Sequence, residues 1–239
     1  VNLNDFSIEH LNDFSNWLKN NLRNKYTIGL DPNLHSIKDL KSIKKIIKDM
    51  KAEIKILDNN PIDQLWKNQP PRPVTRAFQH DVKYTGRSVE NKIAQIQFLL
   101  KSKQCDYYIL TSLDSIAWLL NLRGNDVQFT PLNLAYALIS QNKKIELFIN
   151  KEKVQDIKSE ISNFANCYPL ESIHNFIKNL SPNISIGIDK KRTPFIFEKI
   201  CRDNSLKFKY LEDPCIYPKA QKNKSELEGA RQANLRDSI

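Results

Sequence analysis

Glu171 and His174 stand three residues apart, which on a helix puts both side chains on one face, within reach of a shared metal ion. A solvated helix face accounts for the same spacing without a metal. His80 and Asp81 are adjacent, but a local turn explains them as well as a proton relay does. Asp114 and Arg123 offer opposite charges that could bind a zwitterionic substrate; their plainer roles are a helix cap and an ion pair at the surface or between domains. Cys105, Cys167, Cys201 and Cys215 lie far apart with no C-x-x-C pair, which excludes a zinc cage or redox motif and suits a reducing compartment. The four histidines, His10, His35, His80 and His174, show no i, i+4 pairing and no H-E-x-x-H. There is no G-x-G-x-x-G, no phosphate loop and no G-x-S-x-G elbow, and the 5 glycines are too few for a phosphate cradle.

The elements that would position these groups are easier to read. Tyr107-Tyr-Ile-Leu110 is an apolar run fit for a buried strand. Thr111 followed by Asp114 predicts a capping box. Leu113, Ile116, Ala117 and Leu120 then repeat at helical spacing, and Trp118, Leu119 and Leu122 widen the stripe until little of the helix faces water. Gly124 is expected to close this helix as a left-handed cap. The result is strand, turn, buried helix and stop.

Ahead of it, residues 6–22 predict an amphipathic helix, with Phe6, Leu11, Phe14, Trp17 and Leu18 apolar. Strands are expected at 26–30 and 53–57, a helix at 36–50 with Ile37, Leu40, Ile43, Ile47 and Met50 inward, and a short helix started by Pro61. Two strands make a thin sheet, so this region reads as the tail of a larger unit. Gln69-Pro-Pro-Arg-Pro73 is an extended spacer. Beyond it, Ser88 caps a helix with Val89, Ile93, Ile96 and Leu100 inward. Residues 134–139 and 145–149 read as an antiparallel hairpin. Helices are expected around 157–164, 173–180 and 194–201, and strands at 184–188, half-buried, and 206–210. About five strands with several helices make one α/β domain with a mixed sheet. Asp213-Pro-Cys-Ile-Tyr-Pro218 reads as a second linker, and Ser225 with Glu228 as the capping box of an amphipathic helix running to Ile239.

The 239 residues carry 37 Lys and Arg against 27 Asp and Glu, a formal charge of +10. That raises nucleic acid as a partner, but the lysines are scattered, and Lys41, Lys44, Lys45, Lys48 and Lys51 look like the wet face of a helix. No apolar run approaches the roughly 20 residues of a membrane span. Asn2, Asn4, Asp5 and Glu9 argue against a secretory leader, and a cytoplasmic location is expected. The valine at position 1 fits a non-ATG start, a trimmed chain or one lacking its true beginning.

Leu113-Asp-Ser-Ile-Ala-Trp-Leu-Leu-Asn-Leu-Arg-Gly-Asn-Asp126, with Tyr84-Thr-Gly86 before it and Pro131 and Tyr136 after it, resembles the second domain of the three-domain Xaa-Pro aminopeptidases. Ile28-Gly-Leu-Asp-Pro32 resembles the late first-domain strand and turn of that family. Asn60-Pro-Ile-Asp-Gln-Leu-Trp66 followed by Pro71-Arg-Pro73 resembles its domain-one exit. Lys222-Asn-Lys-Ser-Glu-Leu-Glu-Gly-Ala-Arg-Gln-Ala233 with Asp237 resembles the first helix of its catalytic domain, with Asn234 where the family often has His. These matches run in family order across nearly the whole chain.

The resemblance implies a creatinase-like mixed sheet with flanking helices, preceded by a partial domain of similar type. It divides the chain into a truncated first domain (1–68), a Pro-rich linker (69–81), a second creatinase-like α/β domain (82–213), a linker (214–224) and the first helix of a catalytic domain (225–239). The family removes an N-terminal residue preceding proline. It uses two divalent metals, commonly manganese, held by two Asp, one His and two Glu in a C-terminal pita-bread domain. The early half of the first domain, with a Gly- and Thr-containing loop near the substrate mouth, and the whole pita-bread domain have no counterpart here. No catalytic, cofactor-binding or metal-ligating role therefore transfers to any residue of this chain, and no activity is expected of it alone. The implied partners are a second copy of the chain or a separately encoded catalytic half, with peptide substrate engaged only by the intact enzyme.

Overall fold

The computed structural model describes residues 14–22 and 26–238. Phe6, Leu11, His10 and Ile239 lie outside them. The first unit contains α1 (Phe14–Asn21), β1 (Thr27–Leu30), α2 (Ile37–Ile47), β2 (Glu53–Ile56) and α3 (Pro61–Leu65). β1 and β2 pair in parallel with Thr27 opposite Glu53 and Leu30 opposite Ile56. α2 forms because Ser36 and Asp39 close a reciprocal capping box and Ile37, Leu40, Ile43 and Ile47 share one buried face. A 3₁₀ turn, Lys48–Met50, ends it, and Lys51 leaves in the left-handed region at φ 51°. Leu18, Leu30, Leu40, Ile43 and Ile47 make a small core. Pro61 occupies the first turn of α3, where no amide partner is lost, and Asn60 caps it from Oδ1 at 2.9 Å.

The second unit contains β3 (Phe78–Gln79), α4 (Val82–Thr85), α5 (Val89–Ser102), β4 (Tyr107–Leu110), α6 (Leu113–Leu119), β5 (Leu122–Arg123), β6 (Ala135–Ser140), β7 (Ile145–Ile149), α7 (Lys158–Ser162), β8 (Ala165–Tyr168), α8 (Ile173–Lys178), β9 (Ser185–Ile188), α9 (Phe195–Asp203), β10 (Lys207–Tyr210), α10 (Ile216–Ala220) and α11 (Lys224–Asp237). Six strands form one mixed sheet in the order β10-β9-β4-β6-β7-β8. The β6–β7 hairpin is antiparallel as expected, β4 is antiparallel to β6 and parallel to β9, and β7 is parallel to β8. Apolar clusters cover both faces, which is why every residue of β7 is buried.

Several expectations are corrected. β8 is a sixth strand where about five were expected; Ala-Asn-Cys-Tyr has neither alternation nor β-branching, and its place at the sheet edge comes from pairing with β7. The strand at 184–188 is covered on both sides rather than half-buried, because Tyr108 packs so close to Gly187 that a Cβ there would lie 2.7 Å from Tyr108 Cδ2. α6 stops at Leu119. Asn121 takes the left-handed turn at φ 48°, and Leu122 and Arg123 leave the helix to pair with Gln79 and Phe78. Gly124 is therefore no helix cap; its missing Cβ makes room for the Asn133 carboxamide. Thr111 and Asp114 form no capping box: Ser112 holds the cap position without a side-chain bond, and Thr111 Oγ1 donates to the Arg192 carbonyl at 3.2 Å. The box of the final helix is Asn223 with Glu226 rather than Ser225 with Glu228.

Two stretches read as linkers hold ordered structure. Within 69–81 the prolines are exposed, but Ala77 is buried, Phe78 and Gln79 form β3, and Thr75 is tied to Asp126 by an Oγ1–Oδ1 bond of 2.7 Å. Asp126 is also ion-paired with Lys153 and accepts from the Leu134 amide at 2.7 Å. Within 214–224 the chain forms α10, with Asp213 and Cys215 buried.

The two units meet through the N-termini of α2 and α9. The Ile37 and Lys38 amides donate to the carbonyls of Thr193 (3.3 Å) and Lys190 (2.8 Å). The Phe195 and Ile196 amides donate back to His35 (2.8 Å) and Pro32 (2.9 Å). Each helix start thus has orphan amides satisfied by the loop ahead of the other helix. Ile37 packs in the second unit's core and Phe195 touches both.

Candidate functional site

The surface groove with the densest chemistry, about 510 Å³, is formed between α6, the β3–β5 ribbon, α10 and α11. Its floor comes from the family-like stretch. Ala117 and Trp118 project from α6, and the left-handed turn at Asn121 sends Arg123 back beneath them. Arg123 Nη1 donates to the carbonyls of Ala117 (2.6 Å) and Leu122 (3.0 Å), which fixes the guanidinium. His80 and Tyr84 stack on one wall, with ring centroids 5.5 Å apart and planes 14° from parallel. Asp81, the neighbour of His80, caps α4 through the Lys83 amide at 2.8 Å.

Behind this floor lies Lys92, 1% exposed. Its ammonium donates to the Trp118 carbonyl (2.9 Å) and Asn121 Oδ1 (2.7 Å) and stands 4.7 Å over the Trp118 ring. Burial pulls its pKa down to about 8. Burial likewise lowers Arg123, opposed by Glu226, and lowers His80, helped by Arg123 and Lys92.

The far wall is the chain's exit. Asp114 is ion-paired with Lys219; burial raises the carboxyl, but the Lys219 ammonium overrides it and holds the pKa below the usual range. Lys219 also reaches Ser115 Oγ at 3.3 Å, and Ser115 donates to buried Asp213 at 2.6 Å. Asp213 accepts from the Cys215 amide at 2.8 Å. Asn223 caps α11 and donates from Nδ2 to the Thr85 carbonyl at 2.8 Å. Gly86 permits this approach: it sits at φ 65°, and a Cβ would collide with Asn223 Oδ1.

Of the residues singled out in the sequence, Asp114 and Arg123 line this one groove but hold other partners, Lys219 and the α6 carbonyls. His80 joins them. Glu171 and His174 do not form a metal pair: His174 packs edge-on to Phe197 at 5.4 Å, where burial lowers its pKa. Among the described residues no three His, Cys, Asp or Glu side chains converge, so they do not fit the two-metal centre implied by the family resemblance. Burial pushes Cys105 up to about 11, Cys201 up to about 12 and Cys215 well above the ordinary thiol value, which leaves them protonated and poor nucleophiles. Sequence reasoning missed Lys92 and Lys219. Position 92 does lie on the same stripe as Val89 and Ile96, which was a usable signal of burial.

Among the described residues no helix is long and apolar enough to cross a membrane. The chain is 32% identical over 231 residues to the probable Xaa-Pro aminopeptidase P of Laccaria bicolor, covering 94% of this chain and 35% of the relative. It is 29% identical to Xaa-Pro aminopeptidase 1 of Dictyostelium discoideum, covering 93% of this chain and 36% of the relative. Among solved structures, it superposes on the X-prolyl aminopeptidase of Caenorhabditis elegans, described as a cytosolic enzyme with a di-nuclear active site. There the TM-score is 0.84 and the identity 26%, covering 97% of this chain and 38% of that one. The chain thus spans little more than a third of the length of these relatives and aligns with their N-terminal part. The profile of the creatinase/prolidase N-terminal domain matches residues 68–226, and the chain belongs to that family.

Proposed function

We propose that this chain is the non-catalytic N-terminal part of a cytoplasmic Xaa-Pro aminopeptidase, a scaffold that positions a metal-bearing catalytic part and does no chemistry itself. The observation that carries the reading is the end-to-end similarity to the N-terminal part of aminopeptidases nearly three times as long, 94% of this chain against 35% of the Laccaria bicolor relative. The groove agrees with it: its charged groups serve caps, ion pairs and carbonyls rather than an acid–base pair. The metals of the family would be held by residues outside this sequence. The test is release of the first residue from an Xaa-Pro-Pro peptide with added manganese. The expected result is no turnover by the purified 239-residue chain, and clear turnover would overturn the reading.

The same scaffold role is compatible with a catalytic half encoded separately, a reading favoured by the open groove beside α11. Co-purification with such a half would support it. Nucleic-acid binding is not favoured: the buried face of α2 leaves Lys41, Lys44, Lys45 and Lys48 on the solvent side, a dispersed positive surface.

A further inference from the structure

Lys92 and Arg123 are both desolvated, and among the described residues neither makes an ion pair with a carboxylate. The acids near them are committed. Asp114 holds Lys219, Asp81 caps α4, and Glu226 closes the α11 box through the Asn223 amide at 2.9 Å. Lys222, also on the groove, donates to the Lys219 carbonyl and adds another positive charge. Arg123 uses Nη1 for the α6 and β5 carbonyls, and among the described residues its Nε and Nη2 have no acceptor. A desolvated guanidinium with free donors in a groove walled by Trp118, the His80–Tyr84 stack and Leu132 is suited to a single carboxylate flanked by apolar groups.

α11 indicates where the carboxylate comes from. It lines the groove, none of its residues is buried, and Leu227 (44% exposed) and Leu235 (62% exposed) await cover. The relatives continue well beyond the point where this helix stands. We propose that the groove is a docking site for an acidic side chain, flanked by apolar residues, carried by the polypeptide that follows α11, with Arg123 as the contacting group and Lys92 adding charge from behind Trp118. The proposal rests on the reading that a catalytic part follows.

The test uses the 239-residue chain and two probes, acetyl-Leu-Glu-Leu-amide and its Gln twin, with sodium acetate as a third arm. The Arg123 Nε–H resonance and the Lys92 titration are followed by NMR. The Glu peptide is expected to shift the Arg123 resonance, to bind about tenfold more tightly than the Gln peptide, and to raise the Lys92 midpoint. Arg123→Gln should abolish the discrimination and Arg123→Lys should keep part of it. If Arg123→Gln fails to fold, the wild-type comparison of the two peptides still decides. Equal binding of the Glu and Gln peptides, or no response at Arg123, overturns the proposal. Acetate binding as tightly as the Glu peptide would also overturn it, since the occupant would then be a free small carboxylate. A fusion of the chain to the remainder of the Laccaria bicolor relative separates the two readings. Xaa-Pro cleavage by the fusion supports the scaffold role whatever happens at the groove. Protection of Arg123 from phenylglyoxal in the fusion, relative to the 239-residue chain, supports the docking site, and cleavage without protection overturns the docking site alone.

Discussion

Replacing Lys153 with Met tests how the segment after the proline spacer is held. The Lys153 and Asp126 side chains are 3% and 0% exposed, so the substitution leaves a carboxylate buried without its cation. Breaking such a pair from one side costs about 3–5 kcal/mol. Asp126 keeps three donors, the Thr75 hydroxyl and the Leu134 amide at 2.7 Å each and the Thr75 amide at 3.4 Å, which places the expected loss near the lower figure, about 3 kcal/mol. Replacing both partners, Lys153→Met with Asp126→Leu, removes the stranded charge but also strands Thr75, so recovery should be partial. The assay is urea unfolding followed by fluorescence of Trp118, the one tryptophan in the second unit. Acid gives an independent check. Burial raises the Asp126 carboxyl, but Lys153, Thr75 and the Leu134 amide together hold its pKa below the ordinary carboxyl value. Its stabilisation is therefore complete above the unfolded value and disappears as the pH falls through the folded one. Lys153→Met should flatten that acid limb. A variant within about 0.5 kcal/mol of the parent, with an unchanged acid limb, would refute the account.

Three further outcomes are expected. Because burial lowers Lys92 from 10.5 to about 8, this residue contributes roughly 3 kcal/mol that grows with pH between those values, against an opposite contribution from the raised Cys105, Cys201 and Cys215 thiols above about pH 9. Lys92→Met should remove this slope, measurable by urea midpoints at pH 7.5 and 10. Gly86→Ala combines a left-handed backbone with a collision against Asn223, and should cost about 1–3 kcal/mol while releasing hydrogen-exchange protection in the first turn of α11. In a thiol titration of the native chain, Cys105, Cys201 and Cys215 should react only on unfolding, leaving Cys167, which is half-buried, as the accessible thiol; prompt reaction of all four would contradict the burial described.

The α/β class, the hairpin and α2 were legible because each rests on a local pattern: two apolar runs across a short polar loop in β6 and β7, a four-residue apolar seam in α2. β8 was not, since its only support is the strand beside it. The end of α6 was misread because Leu119, Leu120 and Leu122 prolong an apolar run that still fits a helix. What breaks the helix is Asn121, whose carboxamide accepts from Lys92 at 2.7 Å and donates to the Arg87 carbonyl at 3.0 Å, both tertiary contacts. The same holds at the groove. Asp114 and Arg123 were visible as charged residues on a marked stretch, whereas their environment depends on Lys219 and Lys92, 105 and 31 residues away respectively. Side chains that act across such separations leave no local pattern.

The reciprocal helix starts at the junction of the two units have a consequence for divergence. All four bonds join main-chain amides to main-chain carbonyls, so substitutions at positions 37, 38, 195 and 196 that keep the packing leave them intact. The angle between the units is thereby insulated from side-chain drift, consistent with a TM-score of 0.84 at 26% identity. Proline is the exception. It alone lacks the amide, so all four sites should refuse it, while Ile37, Phe195 and Ile196, which pack in or against the second unit's core, should accept only other apolar residues.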